Sequence, residues 1–244
     1  MNNVLITGST GRLGRELIKF FPNALTPTRN ELDVADSQKV DYYVKSHLPE
    51  IVIHLAAITD IRKCEENENL AWKTNVEGTL NIVKACEKFV SECYFVYVST
   101  PCVFSGEEGN YNEDSIPHPK NFYGLTKCLG EMIVRSSNLT YLIIRGNFVP
   151  REKWPYPKAF TDRYGTYLFA EDVAKGIKDV LDERLTGIVH IVGDKKISMF
   201  ELARITTPDV QPMTLKEYRG PPLTIDMSLD TVRWKKYKID VLKR

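Results

Sequence analysis

The segment Val4-Leu5-Ile6-Thr7-Gly8-Ser9-Thr10-Gly11-Arg12-Leu13-Gly14 constrains the fold more than any other part of the chain. An apolar run of strand length leads straight into glycines at positions 8, 11 and 14, and a helical pattern, Leu13 to Phe21, follows at once. Gly8 permits a tight turn, Gly11 lets the backbone approach a phosphate oxygen, and Gly14 lets the helix pack closely on the strand. The N–H groups that open a helix have no partners within it, so the first turn is a ready receptor for a pyrophosphate. Strand, turn and helix in this order predict a dinucleotide site with Gly8, Gly11, Arg12, Leu13 and Gly14 as cofactor-binding residues.

Short apolar runs bounded by turn residues recur at Ile51 to Leu55, Phe95 to Ser99 and Tyr141 to Arg145. Each is continuously apolar, as strands buried on both faces must be. Helical patterns lie between them: Gln38 to His47 behind the cap candidates Asp36 and Ser37, Asn75 to Phe89, and Tyr123 to Val134. Strand alternating with helix predicts parallel βαβ units, hence an α/β fold built on a Rossmann-type doubly wound parallel sheet. A short second strand is expected around Ala24 to Thr28.

The dinucleotide-binding domain is expected to take residues 1–147. Beyond it, 148–167 is rich in proline, tyrosine and basic residues, then Ala170 to Leu181 reads as a helix and Ile188 to Val192 as a strand. Residues 148–244 are therefore expected to form a small substrate lobe interleaved with the last strand and helix of the sheet. The aromatic group Trp154, Tyr156, Phe160, Tyr164, Tyr167 and Phe169 reads either as a surface that stacks on a base or sugar or, the reading favoured here, as the core of that lobe.

Charge restricts the partner. Lysine and arginine number 33 against 32 aspartates and glutamates, so no basic field exists to attract nucleic acid or an anionic membrane, and a small molecule is expected. Met1 to Thr7 lacks the basic start and long apolar stretch of a secretory signal, and no run is long enough to span a bilayer. The cysteines, Cys64, Cys86, Cys93, Cys102 and Cys128, contain no C-x-x-C pair, which argues against a disulfide framework or zinc site and for a cytoplasmic location. The histidines are too scattered for a metal site, and His54, at a strand end, reads as a hydrogen-bonded core residue. On oligomeric state the sequence is silent, with a homodimer left open.

At the end of the second strand an acid would accept from a ribose 2′-hydroxyl, whereas an arginine suits a 2′-phosphate. Arg29 stands there and no acid does. NADP is therefore favoured over NAD, with Arg29 and Arg12 near the phosphate and Asp33 either accepting from the adenine amino group or serving as a turn aspartate.

Tyr123-Gly124-Leu125-Thr126-Lys127 places Tyr123 and Lys127 on one helical face. A cation beside the phenol is expected to draw its pKa from about 10 towards neutrality and make it a usable acid or base. Ser99-Thr100 ends a strand, where the carboxyl end faces the cofactor crevice. With these residues in view, the chain resembles the extended short-chain dehydrogenase/reductases, and within them the dTDP-4-dehydrorhamnose reductase branch. The carrying segments are the glycine turn, Leu32-Asp33-Val34-Ala35-Asp36, Pro49 to Ala57, Ser99 to Gly106 and Tyr123 to Glu131.

The resemblance implies NAD(P)H-dependent reduction of a nucleotide-linked 4-keto-6-deoxy sugar. It assigns Thr100 to the carbonyl oxygen, Tyr123 to proton donation, and Lys127 to the nicotinamide ribose and to tuning Tyr123. It lays Ala56 and Ala57 along the cofactor and matches Asn75 to an asparagine of the family, a residue that reads equally as a helix cap. Thr161 to Tyr167 resembles the family stretch D-Q-x-G-x-P-T, and Arg219-Gly220-Pro221-Pro222 resembles its R-P turn. Arg163 and Arg219 are thus substrate-binding candidates for a nucleotide diphosphate.

Departures point elsewhere. The branch pattern S-T-D-Y-V-F-D-G is here Ser99-Thr100-Pro101-Cys102-Val103-Phe104-Ser105-Gly106, and the segment after Asn147 is short. Both features favour a rival reading, a cofactor-binding regulatory subunit like that of methionine adenosyltransferase. A reductase of non-sugar carbonyls is a third, because fold does not fix substrate.

Overall fold

The computed structural model describes residues 3–239; Met1, Asn2 and residues 240–244 lie outside them. In chain order the elements are β1 (Val4–Thr7), α1 (Arg12–Ile18), α2 (Ser37–His47), β2 (Ile51–His54), α3 (Ile61–Glu66), α4 (Glu68–Trp72), a π turn (Lys73–Glu77), α5 (Gly78–Phe89), β3 (Tyr94–Ser99), α6 (Phe122–Arg135) and β4 (Thr140–Gly146). There follow β5 (Phe148–Val149), β6 (Lys158–Phe160), β7 (Tyr164–Gly165), β8 (Leu168–Phe169), α7 (Ala170–Asp182), β9 (Gly187–Ile191), β10 (Ile197–Ser198), α8 (Met199–Thr206), β11 (Gln211–Met213) and β12 (Asp226–Met227).

The main sheet runs β1-β2-β3-β4-β9, and each neighbouring pair is parallel. Side-chain alternation divides it into two cores. Val4, Ile6, Ile53, Val96, Leu142 and Ile144 point to one face, where Leu13 and Leu17 of α1 and Val173, Ile177 and Val180 of α7 cover them. Leu5, Val52, Phe95, Tyr97 and Ile143 point to the other, against Val40 and Val44 of α2 and Ile82 and Val83 of α5. Covering both faces explains why the strands are apolar throughout.

Three small sheets sit beyond β4: β10-β7-β12, β11-β6 and β5-β8. Among the described residues no helix is long and apolar enough to cross a membrane.

Three sequence expectations are corrected. The second strand at Ala24 to Thr28 shrinks to one bridge, Leu25 opposite Leu5, because Pro27 has no N–H to extend the ladder and Thr28 turns into hydrogen bonds with Glu31. The helix expected from Asn75 begins only at Gly78, after a π turn. The aromatic group does not form one core: Tyr167 and Phe169 are buried, but Tyr156 is 64% exposed, Trp154 meets it edge-on, and Phe160 packs on Tyr218.

Candidate active site

The glycine turn closes as the sequence requires. Gly8 has φ +70°, and a Cβ there would come within 2.7 Å of the Ala56 nitrogen on the neighbouring strand's exit. Gly14 is tighter still: its Cβ would meet the carbonyl oxygens of Ser9 at 2.5 Å and Gly8 at 2.6 Å. Gly11 sits at the N-cap of α1, no side chain caps it, and a Cβ would touch only the Gly8 oxygen, at 3.1 Å. Arg12 is exposed. The Leu13 side chain is 4% exposed and belongs to the core, so it is its backbone, in the first turn of α1, that is available to a ligand.

Above this turn lies a cleft lined by Thr7, Gly8 and Thr10 on one side and by Ala56, Ala57 and Ile58 on the other. Arg29 and Asp33 stand at its outer end, joined by a 3.2 Å ion pair, and Asp33 also accepts from Ala35 N–H as a turn aspartate does. At the inner end Thr74, from the π turn, adds a buried hydroxyl without a partner among the described residues. Small side chains, an open glycine turn and an orphaned donor fit a dinucleotide. Thr74 carries no signal in the sequence; only the π turn brings it round to the cleft.

Beneath the cleft runs a buried polar chain. Thr7 Oγ1 accepts from the N–H groups of Leu55 and Ala56 and donates to His54 Nδ1, 2.7 Å away. His54 Nε2–H then donates to Thr79 Oγ1 at 3.1 Å, which donates to the Asn75 carbonyl at 2.7 Å. These partners fix the neutral Nε2–H tautomer, and burial, aided by Lys127, holds the His54 pKa down to about 3.

Asn75 is neither a cap nor exposed. Its Oδ1 accepts from Ile58 N–H at 2.7 Å, and its Nδ2 donates to the Ile58 carbonyl and to Thr126 Oγ1, both at 3.0 Å. It therefore ties the strand-exit loop of the cleft to α6 between Tyr123 and Lys127.

Helix α6 starts at Asn121, whose side chain accepts from Gly124 N–H. Tyr123, in its first turn, is 8% exposed and packs with Cys102 in one apolar cluster. Its neighbour is Thr100, at the carboxyl end of β3, where the hydroxyl caps a 3₁₀ turn by accepting from Cys102 N–H. The expected lowering of the phenol pKa is not found: burial pushes it up, Cys102 adds to the rise, and Thr100 opposes it. Lys127 is 4% exposed with its ammonium 4.0 Å from the centre of the Tyr97 ring, a cation–π contact rather than a pairing with the phenol. Burial draws its pKa down to about 7 against the pull of Glu131.

The two arginines differ. Arg219 is exposed, its guanidinium turned back on the carbonyls of Lys216 and Tyr218. Arg163, immediately before β7, is 7% exposed, with its guanidinium near Met199 and Met227.

The sequence model of the family described as RmlD substrate binding domain matches residues 1–153. The chain is 27% identical over 229 residues to dTDP-4-dehydrorhamnose reductase of Aggregatibacter actinomycetemcomitans, covering 83% of this chain and 77% of that protein. It is 31% identical over 236 residues to methionine adenosyltransferase 2 subunit beta of Pongo abelii, covering 82% and 70%. In three dimensions it matches a hypothetical dTDP-4-dehydrorhamnose reductase from Sulfolobus tokodaii with TM-score 0.86, 30% identity and 98% of each chain covered. A dTDP-4-dehydrorhamnose reductase from Bacillus anthracis, in complex with NADP, shares the fold with TM-score 0.86 and 24% identity, over 94% of this chain and 90% of that one.

Proposed function

Because this chain belongs to the RmlD substrate binding domain family, we propose that it is an NAD(P)H-dependent reductase of a nucleotide-linked 4-keto-6-deoxy sugar. The observation that carries the reading is the meeting of Thr100 and Tyr123 at the carboxyl end of β3, on a sheet whose first strand opens into the glycine cleft. The dinucleotide, when bound, supplies the hydride. Gly8, Gly11 and Gly14 shape the turn under its pyrophosphate, with the backbone at Arg12 and Leu13 facing it. Ala56 and Ala57 leave room along its length, and Arg29, with Arg12, favours NADPH over NADH.

The Thr100 hydroxyl donates to the keto oxygen. Tyr123 donates the proton that completes the alcohol; a phenol held high by burial stays protonated until that moment, which suits an acid. Lys127 holds the cofactor ribose and, once its ammonium leaves Tyr97, lowers the cost of phenolate on Tyr123. Arg219 and Arg163 serve the anionic parts of the substrate. The free thiols, four of the five buried, suit a reducing cytoplasm.

Mixing the protein with a dTDP-4-keto-6-deoxy sugar and NADPH should bleach the nicotinamide absorbance. Tyr123→Phe should lower turnover by about 10²–10⁴-fold while leaving NADPH affinity intact. The likeness to methionine adenosyltransferase 2 subunit beta favours one rival, a cofactor-binding subunit without turnover. A flat trace with several keto sugars, together with co-elution with a larger enzyme, would decide for it.

A further inference from the structure

Helix α5 returns to the sheet through a turn that brings two thiols together. Ile82 and Cys86, one helical turn apart, are both fully buried in the core that α5 and α2 close over the sheet. The helix ends at Phe89, where Val90 N–H donates to the Cys86 carbonyl at 2.8 Å. Cys93 N–H then donates to the Val90 carbonyl, also at 2.8 Å, and Tyr94 N–H donates to the Glu50 carbonyl at 2.9 Å as β3 begins. Ser91 and Glu92, at the tip of the turn, are exposed. The chain doubles back in so few residues that Cys93, 1% exposed, enters the same core as Cys86. There the thiols of Cys86 and Cys93 are hydrogen-bonded to each other.

The other three cysteines have other neighbours. Cys64 Sγ donates to the Ile58 carbonyl at 3.4 Å, Cys102 Sγ lies 3.9 Å from Met227 Sδ, and Cys128 is half-buried against the cluster of Val103 and Phe104. Packing alone accounts for a single buried cysteine, which behaves as a small apolar side chain. Two thiols in contact add chemistry that neither has alone, because a disulfide requires its sulfurs to be brought together and here the fold has already done so. Their spacing of seven positions is not the C-x-x-C pattern that marks such a pair in a sequence.

We propose that Cys86 and Cys93 form a reversible, stabilising disulfide that ties the end of α5 to the start of β3 when the protein meets a small-molecule disulfide such as oxidised glutathione. Cys93, in the turn, is reached first. Its thiolate attacks one sulfur of the reagent, whose S–S bond breaks and releases one thiolate; the Cys86 thiolate then attacks the Cys93 sulfur and expels the second. Two electrons pass to the reagent, and the two protons given up by Cys86 and Cys93 end on the two released thiols. Cys93 leads into the amino end of β3 and Thr100 follows its carboxyl end, about 20 Å away along the strand. The cross-link therefore acts on stability rather than on the chemistry at Tyr123, and it does not rest on the reductase reading.

The test unfolds the full chain and refolds it in mixtures of reduced and oxidised glutathione, so that access to the buried thiols does not limit exchange. The product is alkylated with iodoacetamide, weighed intact and mapped after cleavage at lysine; Lys88 lies between the two cysteines, so a bridge appears as two linked peptides. Oxidised wild type should be lighter by two hydrogens, carry Cys86 and Cys93 in one linked pair, and leave Cys64, Cys102 and Cys128 open to alkylation. It should unfold about 5–10 °C above the reduced form, as expected for a covalently closed loop of about eight residues, and dithiothreitol should reverse both changes. C86A and C93A should show neither. Five alkylated thiols after oxidative refolding, glutathione retained on either cysteine of the wild type, a mass loss that persists in C86A or C93A, or an oxidised form that unfolds no higher than the reduced one overturns the proposal.

Discussion

Replacing Glu131 by glutamine tests how the interior behind α6, the helix of Tyr123, is held. Glu131 and Arg145 are 2% and 1% exposed. Arg145 donates to both carboxylate oxygens, Nε to Oε1 at 2.9 Å and Nη2 to Oε2 at 2.6 Å, and Ser99 donates to Oε1 at 2.5 Å. On its far side Arg145 meets, among the described residues, only His190 Nε2, 3.4 Å away, and the face of Phe104. His190 Nδ1–H donates to the Asp230 carbonyl, so Nε2 is an acceptor, and burial holds the ring neutral with a pKa of about 4. Glutamine keeps the volume and one acceptor but leaves the buried guanidinium without a counterion. Breaking a buried pair from one side costs about 3–5 kcal/mol, a large part of the roughly 5–15 kcal/mol of a typical domain. With a urea slope of about 2–3 kcal/mol/M, the unfolding midpoint should fall by about 1–2 M. The paired replacement of Glu131 and Arg145 by methionine should recover much of the loss, since neither charge is then stranded. A cost below about 1 kcal/mol for E131Q would refute the reasoning, for the pair would then behave as a surface contact.

Gly14→Ala puts a Cβ against backbone oxygens that cannot move aside; strain of about 1–3 kcal/mol or more should appear as weakened NADPH binding in calorimetry, and unchanged affinity would contradict the packing role. Arg29→Ala should weaken NADPH about tenfold, by loss of a charge-assisted contact, and leave NADH alone; equal effects on both would remove Arg29 from phosphate selection. Acid should destabilise the fold through His54 and His190, whose pKa values fall to about 3 and about 4 from 6.5, chiefly by burial. Below pH 6.5 the unfolded chain takes up protons that the folded chain refuses, so this stability is complete above pH 6.5 and is lost as pH falls through about 4 and about 3. Imidazole resonances of the two residues that titrate near pH 6.5 would show the burial argument to be wrong.

The sheet was legible because each strand is built on a short apolar run and the crossover helices keep helical spacing, although α1, α5 and α7 lack a side-chain cap. Asp36 caps α2 by accepting from the N–H groups of Gln38 and Lys39, as its place before the helical pattern suggests. Helix α8 went unread although Ser198 and Glu201 form a full capping box, because it is short and follows a strand of only two residues. The glycine turn was legible because local backbone geometry dictates the residue type. The surroundings of Arg163 were not: Met199 and Met227 lie 36 and 64 residues away, and small sheets with two-residue strands leave no periodicity to read. The Tyr123 phenol failed in sign for a similar reason. Spacing put a cation on its helical face, but burial is a property of the packed chain, and here it outweighs the cation, which rests on Tyr97.

Asn75 shows how the cleft and the helix of Tyr123 act as one body. Its side chain satisfies both backbone groups of Ile58 and also reaches Thr126, whose hydroxyl donates to the Tyr123 carbonyl at 2.8 Å. A regular helix would carry the hydrogen bonds of this stretch in steady register; the π turn at Lys73–Glu77 interrupts that register where Asn75 reaches two neighbours at once. Asn75→Ala strands the two Ile58 groups, at about 1–3 kcal/mol for each left unsatisfied, and frees the loop that carries Ala56 and Ala57. Asn75→Asp keeps the bond from Ile58 N–H but loses both donations and faces the Ile58 carbonyl with a charge. If the side chain aligns cleft and helix, both variants should raise the Kd for NADPH and lower turnover together, with aspartate the worse. Loss of stability with unchanged Kd and turnover would confine Asn75 to holding the fold, and the two halves of the site would then keep their alignment through the sheet alone.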